Sequence, residues 1–257
     1  MKKKVKLTLL DSVNLVLDSS DIIICVLDAR FIEETRNYEI EKKIKAMNKK
    51  IVYVVNKADL TGHINQKELS NLYPNAVVVS CTKRRGVNEL RNRIKMLAKQ
   101  IKKESSVFIG VIGYPNTGKS SVINLILGRK EIAKTSFVPG FTKGVQKLKL
   151  ATNIYLLDSP GIIPADERFT ELTKLAMIGV RTFDMTKDPD LIVYELMQKH
   201  PLLFEEFYHI DAAGDSEKLI EILGRRRSIL MKKGEIDVDR VSRMILRDWQ
   251  KGYIKVK

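Results

Sequence analysis

The sequence predicts an α/β architecture, a mainly parallel sheet flanked by helices, followed by a small all-helical region. Three observations carry this. Val/Ile-rich runs recur and each stops at a polar cluster; helical patterns lie between them; and beyond Pro164 only helical patterns remain. Near-continuous β-branched runs suit parallel strands buried on both faces, and strand–helix alternation implies right-handed crossovers.

Taken in order, the predicted strands lie in DIIICVLDAR, KKIVYVVNKAD, NAVVVSCTK and SVFIGVIGYPN, and then in GVQKLKLA and NIYLLDSPG. The fifth alternates imperfectly, as a strand with one wet face does. Two helices separate the earlier runs. RNYEIEKKIKAMNKK sets Tyr38, Ile40, Ile44 and Met47 at helical spacing, and VNELRNRIKMLAKQIKK sets Val87, Leu90, Ile94, Leu97 and Ile101 on one stripe. In the last third, breaks fall near Pro189, Pro201, Gly214 and Gly234, and Asp188-Pro189, Asp215 and Asp237 read as helix starts. The predicted boundary follows SPGIIP, giving domains 1–164 and 165–257.

The 257 residues carry a formal net charge of +15 with 44% hydrophobic residues. The apolar content is enough to bury a core, and the charge favours a polyanionic partner: RNA, DNA or anionic membrane. Cys25 and Cys81 form neither a disulfide framework nor a zinc site, and Cys25 reads as a small packed hydrophobe. The opening MKKKVKLTLLD looks like a leader, but Lys6 and Asp11 cut its apolar stretch short. No run reaches the length of a membrane span. The expected setting is cytoplasmic and reducing.

The chemistry concentrates in five short stretches. GYPNTGKS, Gly113 to Ser120, follows a predicted strand and opens a predicted helix, the setting a phosphate-binding loop requires. Gly113 and Gly118 let the backbone close on phosphates, with Asn116, Thr117, Gly118 and Ser121 lining the wrap. Lys119 is the candidate catalytic cation, reaching the β- and γ-phosphates, and Ser120 a Mg2+ ligand. DSPG ends a later strand: Asp158 can hold Mg2+ through water, and Gly161 can offer its N–H to a γ-phosphate. Between them, SFVPGFTKG supplies Thr142 as the switch threonine closing on the metal, with Thr135 as competitor. In NKAD, Asp59 can accept from the two donors of a guanine edge, which adenine lacks. Asn56 braces the loop and approaches the base, and Lys57 belongs to the same reader. Ser80, Cys81 and Thr82 form the partner loop, whose backbone would meet the guanine oxygen.

The base reader thus precedes the phosphate loop, the reverse of the familiar order. The five matches keep one cyclic order, as if the chain had been cut once and rejoined. This resembles a P-loop GTPase domain with circularly permuted motif order, of the YlqF/RbgA ribosome-assembly type. VLDARFIEETRN and MILRDWQKGYI resemble that family outside the nucleotide motifs.

The resemblance implies GTP hydrolysis to GDP and phosphate, a helical C-terminal domain, ribosomal RNA and a large-subunit precursor as partners, and a role in large-subunit maturation. The asparagine at position 116 implies K+ beside the phosphates, as in similar GTPases with asparagine there. Ile162 stands where Ras-like enzymes place the glutamine that orients water, so slow intrinsic turnover and a stimulating partner are expected. No histidine here matches the one that bacterial members carry in a longer N-terminal segment. His63, His200 and His209 read as surface or packing residues.

On the RNA side, Arg225 to Arg227, Lys232 and Lys233 form one basic cluster. Arg240, Arg243 and Arg247 share one helix face, with Lys251, Lys255 and Lys257 beyond. Trp249 and Tyr253 either stack on bases or anchor the helix. A monomer binding neither membrane nor DNA is expected. Two other readings stay open: a GTP-sensing RNA-binding placeholder with negligible catalysis, and a regulatory G protein for a non-ribosomal partner.

Overall fold

The computed structural model describes residues 9–62, 64–101, 106–128, 146–159 and 172–256. The chain divides into two compact units, Met1–Asp59 with His63–Ala165 and Leu60–Gly62 with Asp166–Lys257.

The first unit is built on six strands: β1 Ile22–Asp28, β2 Lys50–Asn56, β3 Val77–Val78, β4 Val107–Gly113, β5 Gln146–Ala151 and β6 Ile154–Asp158. Their order across the sheet is β3-β2-β1-β4-β6-β5. Every neighbouring pair is parallel except β5–β6. Helices α1 Leu9–Ser19, α2 Tyr38–Ala46, α3 Gln66–Leu72, α4 Val87–Gln100 and α5 Lys119–Leu127 complete this unit among the described residues. All seven residues of β1 are buried, which explains the run of six apolar residues that precedes Asp28. Alternate residues of β1 feed two cores. Ile22, Ile24 and Val26 pack with Leu90, Ile94 and Val122 from α4 and α5. Ile23, Cys25 and Leu27 pack with Val13 and Leu17 from α1 and with Ile40 and Ile44 from α2. Cys25 is therefore the packed hydrophobe expected, its thiol pushed far up by burial.

The fold class is the one the sequence predicts; the departures from the reading are local. Helix α1, for which the sequence reading made no provision, buries Val13, Val16 and Leu17 at helical spacing. Space for it exists because residue 110 is glycine: a Cβ there would stand 2.6 Å from Ser20 Oγ and 2.7 Å from Val16 Cγ1. In α2 only Ile40 and Ile44 of the expected stripe are buried; Tyr38 and Met47 are exposed at its ends. The third strand shrinks to two residues because Ser80 leaves the ladder to bridge Arg85.

The second unit is helical: α6 Leu172–Met177, α7 Pro189–Lys199, α8 Leu203–Tyr208, α9 Ser216–Arg226 and α10 Val238–Gln250. Asp215 caps α9 through the N–H groups of Glu217 and Lys218, and Asp237 caps α10 through that of Arg240. Asp188 precedes α7 in a left-handed conformation without a side-chain cap bond. Helix α10 packs on α7 and α9 through Val241, Ile245, Leu246 and Trp249.

Candidate functional site

The parallel strands β1, β2, β4 and β6 end along one edge of the sheet, with Asp28, Asn56, Gly113 and Asp158 as their last residues. In doubly wound sheets that carboxyl edge is where ligands bind. The phosphate loop runs from Gly113 to Gly118 and then opens α5. Tyr114 is fully buried beneath it and its carbonyl accepts from Thr117 Oγ1 at 2.9 Å. Lys119 folds back across the turn and donates to the carbonyls of Gly113 (3.2 Å) and Tyr114 (2.8 Å). Burial lowers its pKa to about 8, partly offset by Asp158. Burial likewise pushes Asp158 up to about 6 against the pull of Lys119 and the Ser159 N–H. Asp158 Oδ1 is buried without a hydrogen-bond partner among the described residues. Both groups are desolvated and under-neutralised, as befits a site built for charges it does not itself supply. Asn116 and Ser120 are exposed on the loop and on the first turn of α5, Asn116 at φ 62°.

The base-reading elements join this loop through Asn56. Its Nδ2 donates to Thr117 O at 2.9 Å, so the amide spans from the end of β2 to the phosphate loop. Gly118 is required there: its φ is +96°, and a Cβ would stand 2.3 Å from Asn56 Nδ2. Asn56 thus braces the phosphate loop, whereas its sequence suggested a residue shared between its own loop and the base edge. Asp59 is held by Ser80, whose Oγ donates to Asp59 Oδ1 at 2.6 Å and accepts from the Lys83 N–H. The sequence assigned the Ser80–Cys81 stretch a backbone role only; the serine hydroxyl that orients Asp59 was missed. Cys81 is half-buried, its thiol raised to about 11 by burial, and Thr82 is exposed beside it.

Two further residues carried no assigned role in the sequence. Asp28, at the end of β1, is buried against Arg30, whose Nη2 donates to Oδ2 at 2.9 Å and whose Nε and backbone N–H donate to Oδ1 at 3.1 Å each. Lys57 Nζ completes the set with a 2.7 Å ion pair to Asp28 Oδ2. Their signal in the sequence was the charged Asp-Ala-Arg at the end of a wholly apolar strand. Thr142, Gly161, Ile162, Thr135 and His63 lie outside the described residues.

In the helical unit several of the arginines hold partners within the protein. Arg243 is held by Asp239 and by the carbonyls of Phe183 and Asp184. Arg247 pairs with Asp248, Arg225 with Glu221, and Arg226 donates to the carbonyls of Tyr208 and His209. Arg243 and Arg226 thereby tie their helices to neighbouring segments, while Arg225 and Arg247 pair only within their own helices. Arg225, Arg226, Arg227, Lys232, Lys233, Arg240, Lys251 and Lys255 are exposed, and of these Arg225 and Arg226 hold the partners just named. Trp249 is fully buried, donates to Met177 O at 2.9 Å and lies beside Phe204 and His200: it anchors the helix. Tyr253 is exposed.

Fold and site together define a guanine-nucleotide-binding P-loop domain. Comparison with known proteins agrees. Residues 108–207 match the sequence model described as a 50S ribosome-binding GTPase. The chain is 38% identical, over 95% of its length, to an uncharacterized GTP-binding protein of Methanocaldococcus jannaschii, and 35% identical, over 93%, to nucleolar GTP-binding protein 2 of Saccharomyces cerevisiae. It covers 66% of the first and 50% of the second. Among solved structures, GNP-bound YlqF from T. maritima superposes with a TM-score of 0.64 at 22% identity, covering 95% of this chain and 93% of that one. The GDP-bound form gives 0.66 at 21%, covering 95% and 96%. The chain is thus related in sequence to GTP-binding proteins, and its fold, with the motif order circularly permuted, is that of the YlqF structures. No helix among the described residues is long and apolar enough to cross a membrane.

Proposed function

We propose that this chain hydrolyses GTP to GDP and phosphate as an assembly factor for the large ribosomal subunit, binding ribosomal RNA of a precursor particle in a nucleotide-dependent way. The observation that carries the chemistry is the pairing of Lys119, wrapped on the loop carbonyls, with Asp158, whose buried Oδ1 has no partner among the described residues. In this reading Lys119 neutralises β- and γ-phosphate oxygens, and the N–H groups of residues 116–121 and the start of α5 take the rest of the charge. Asp59 reads the guanine edge in the orientation set by Ser80. Ser120 and Asp158 offer a hydroxyl and a carboxylate, a hard-oxygen set suited to Mg2+; Mg2+ would supply charge neutralisation between the phosphates. Thr142, Gly161 and Asn116 keep their proposed parts as switch threonine, γ-phosphate sensor and K+ ligand. The domain boundary near residues 164–165 and a cytoplasmic, monomeric protein belong to the same proposal.

The ribosomal part rests on the family, whose nucleolar members cover this chain only as part of a longer protein, and on the exposed cations Arg227, Lys232, Lys233 and Arg240. The test is the GTPase rate in K+ buffer with and without purified large subunits, Lys119→Ala serving as blank. Strong stimulation by the subunit and a higher rate in K+ than in matched Na+ support the reading. Nucleotide binding without stimulation sinks the ribosomal part, and equal rates in the two salts remove the K+ site.

A further inference from the structure

The family motif for guanine ends at Asp59, yet the structure extends the reader by one layer. Lys57 sits in the left-handed region at φ 64°, next to the end of β2, with its side chain 22% exposed. Its ammonium turns to Asp28, the residue paired with Asn56 across the β1–β2 ladder. Asp28 has no freedom to follow a moving lysine. Both its oxygens are occupied by Arg30, its N–H donates to Thr35 Oγ1 at 3.0 Å, and the next N–H, of Ala29, donates to Asn56 O at 2.8 Å. Thr35 is fixed in turn by Phe31 O at 2.6 Å. A carboxylate this buried is costly unless every partner is supplied, and here two cations supply them.

The consequence concerns the lysine stem. Four methylenes on a tethered head form a flat apolar strip two residues before Asp59, whereas a free lysine head would leave the stem sampling many rotamers. We propose that Asp28, held by Arg30, is a positioning residue for the purine: it clamps the Lys57 ammonium so that the lysine stem stands ready as one wall of the base site. Asp28 touches no nucleotide in this account; it acts through Lys57. The inference rests on the nucleotide-binding reading above and deepens it, because it separates two jobs in one loop. Asp59 distinguishes guanine by its edge, while the Asp28–Lys57 clamp holds any purine by its face.

The two jobs predict different fingerprints. Inosine diphosphate presents the same purine face as GDP but lacks the exocyclic amine that Asp59 reads. The experiment measures GDP and inosine diphosphate affinities of the full chain by titration of a fluorescent GDP analogue and competition, for the wild type and for Asp28→Asn. Fixing a rotamer-rich side chain in advance is worth about tenfold in affinity. The expected result is a fall of that order for both nucleotides, with their affinity ratio unchanged and faster GDP release. Unchanged affinities overturn the clamp, and so does a collapse of the GDP preference, which would mean that Asp28 merely keeps the Asp59 loop folded. Lys57→Met severs the same contact from the other end and leaves the Asp28–Arg30 pair intact, so it decides the matter if Asp28→Asn does not fold. The double variant should be no weaker than the worse single one. If wild-type protein binds no GDP at all, the nucleotide reading fails, a result distinct from failure of the clamp.

Discussion

Gly118 and Asn56 offer the sharpest test of how the two halves of the site are joined. Replacing Gly118 by alanine places an L-residue at φ +96°, at a cost of about 1–2 kcal/mol. Its Cβ would stand 2.3 Å from Asn56 Nδ2, so the amide must leave, and its 2.9 Å bond to Thr117 O goes with it. Thr117 is buried, so the abandoned carbonyl adds about 1–3 kcal/mol. The sum at mid-range is about 3.5 kcal/mol, which lowers the melting point of nucleotide-free protein by about 7–14 °C. Asn56→Ala alone loses the same hydrogen bond. Because it also removes Asn56 Oδ1, which has no partner among the described residues, its cost falls toward the low end of that range. In the double variant the bond is lost only once and the clash is gone. Urea unfolding followed by circular dichroism should therefore show destabilisations that fall short of additivity by about 1–3 kcal/mol. Additivity to within about 0.5 kcal/mol would refute the claim that Gly118 is small on account of Asn56.

Other consequences follow from the same geometry. Burial alone would raise the Asp28 pKa, but Arg30 and Lys57 outweigh it and hold the carboxyl below its usual range. A depressed carboxylate stabilises the fold above its unfolded pKa and loses that contribution as pH falls through the folded value. The deficit of Asp28→Asn in unfolding free energy should thus be constant from about pH 8 to 5 and narrow below about pH 4; a deficit that grows on acidification would contradict the pairing. Trp249→Phe leaves Met177 O without its donor and should cost about 1–3 kcal/mol by urea unfolding, while a neutral effect would mean that ring packing alone holds α10. Glu205 Oε1 accepts from the N–H groups of Ala212 and Gly214, so Glu205→Ala should destabilise the helical unit by about 1–3 kcal/mol and Glu205→Gln by clearly less; equal losses would deny the capping role. RNA affinity should fall steeply with salt, and reversing Lys232 and Lys233 to glutamate should flatten that dependence. A salt-independent affinity would move the partner away from phosphate.

The legible parts of this fold are those where one physical constraint dominates several neighbouring residues. Strand β1 is buried on both faces, so its six residues before Asp28 had to be apolar, and the sequence says so. The phosphate loop needs glycine, lysine and serine at fixed spacing because backbone must wrap an anion, and it sits where it was placed. Val13, Val16 and Leu17 of α1 stand at helical spacing, but the docking of that helix was not legible because it depends on Gly110, more than ninety positions further along the chain. The Ser80–Asp59 and Asn56–Thr117 contacts were half visible: the residues could be chosen, their partners could not, because a hydrogen bond between distant loops leaves no periodic trace. The partners of the basic helix were hidden for the same reason. Arg243 and Arg247 share a face in the sequence, but only coordinates reveal that Asp239, Phe183 O and Asp248 already occupy them.

The sheet order also has a consequence for the way the chain is made. Strands β1 to β3 and the base reader are complete before the phosphate loop emerges from the ribosome, whereas in the unpermuted order the phosphate loop comes first. Until Val107–Gly113 arrives, β1 has β2 on one side and nothing on the other, although all seven of its residues end up buried. During synthesis this central strand is an apolar edge awaiting its partner, the form of intermediate most open to wrong pairing. Re-threading the domain therefore moves the exposed central edge from β4, which would wait for β1 in the unpermuted order, to β1, which waits for β4 here.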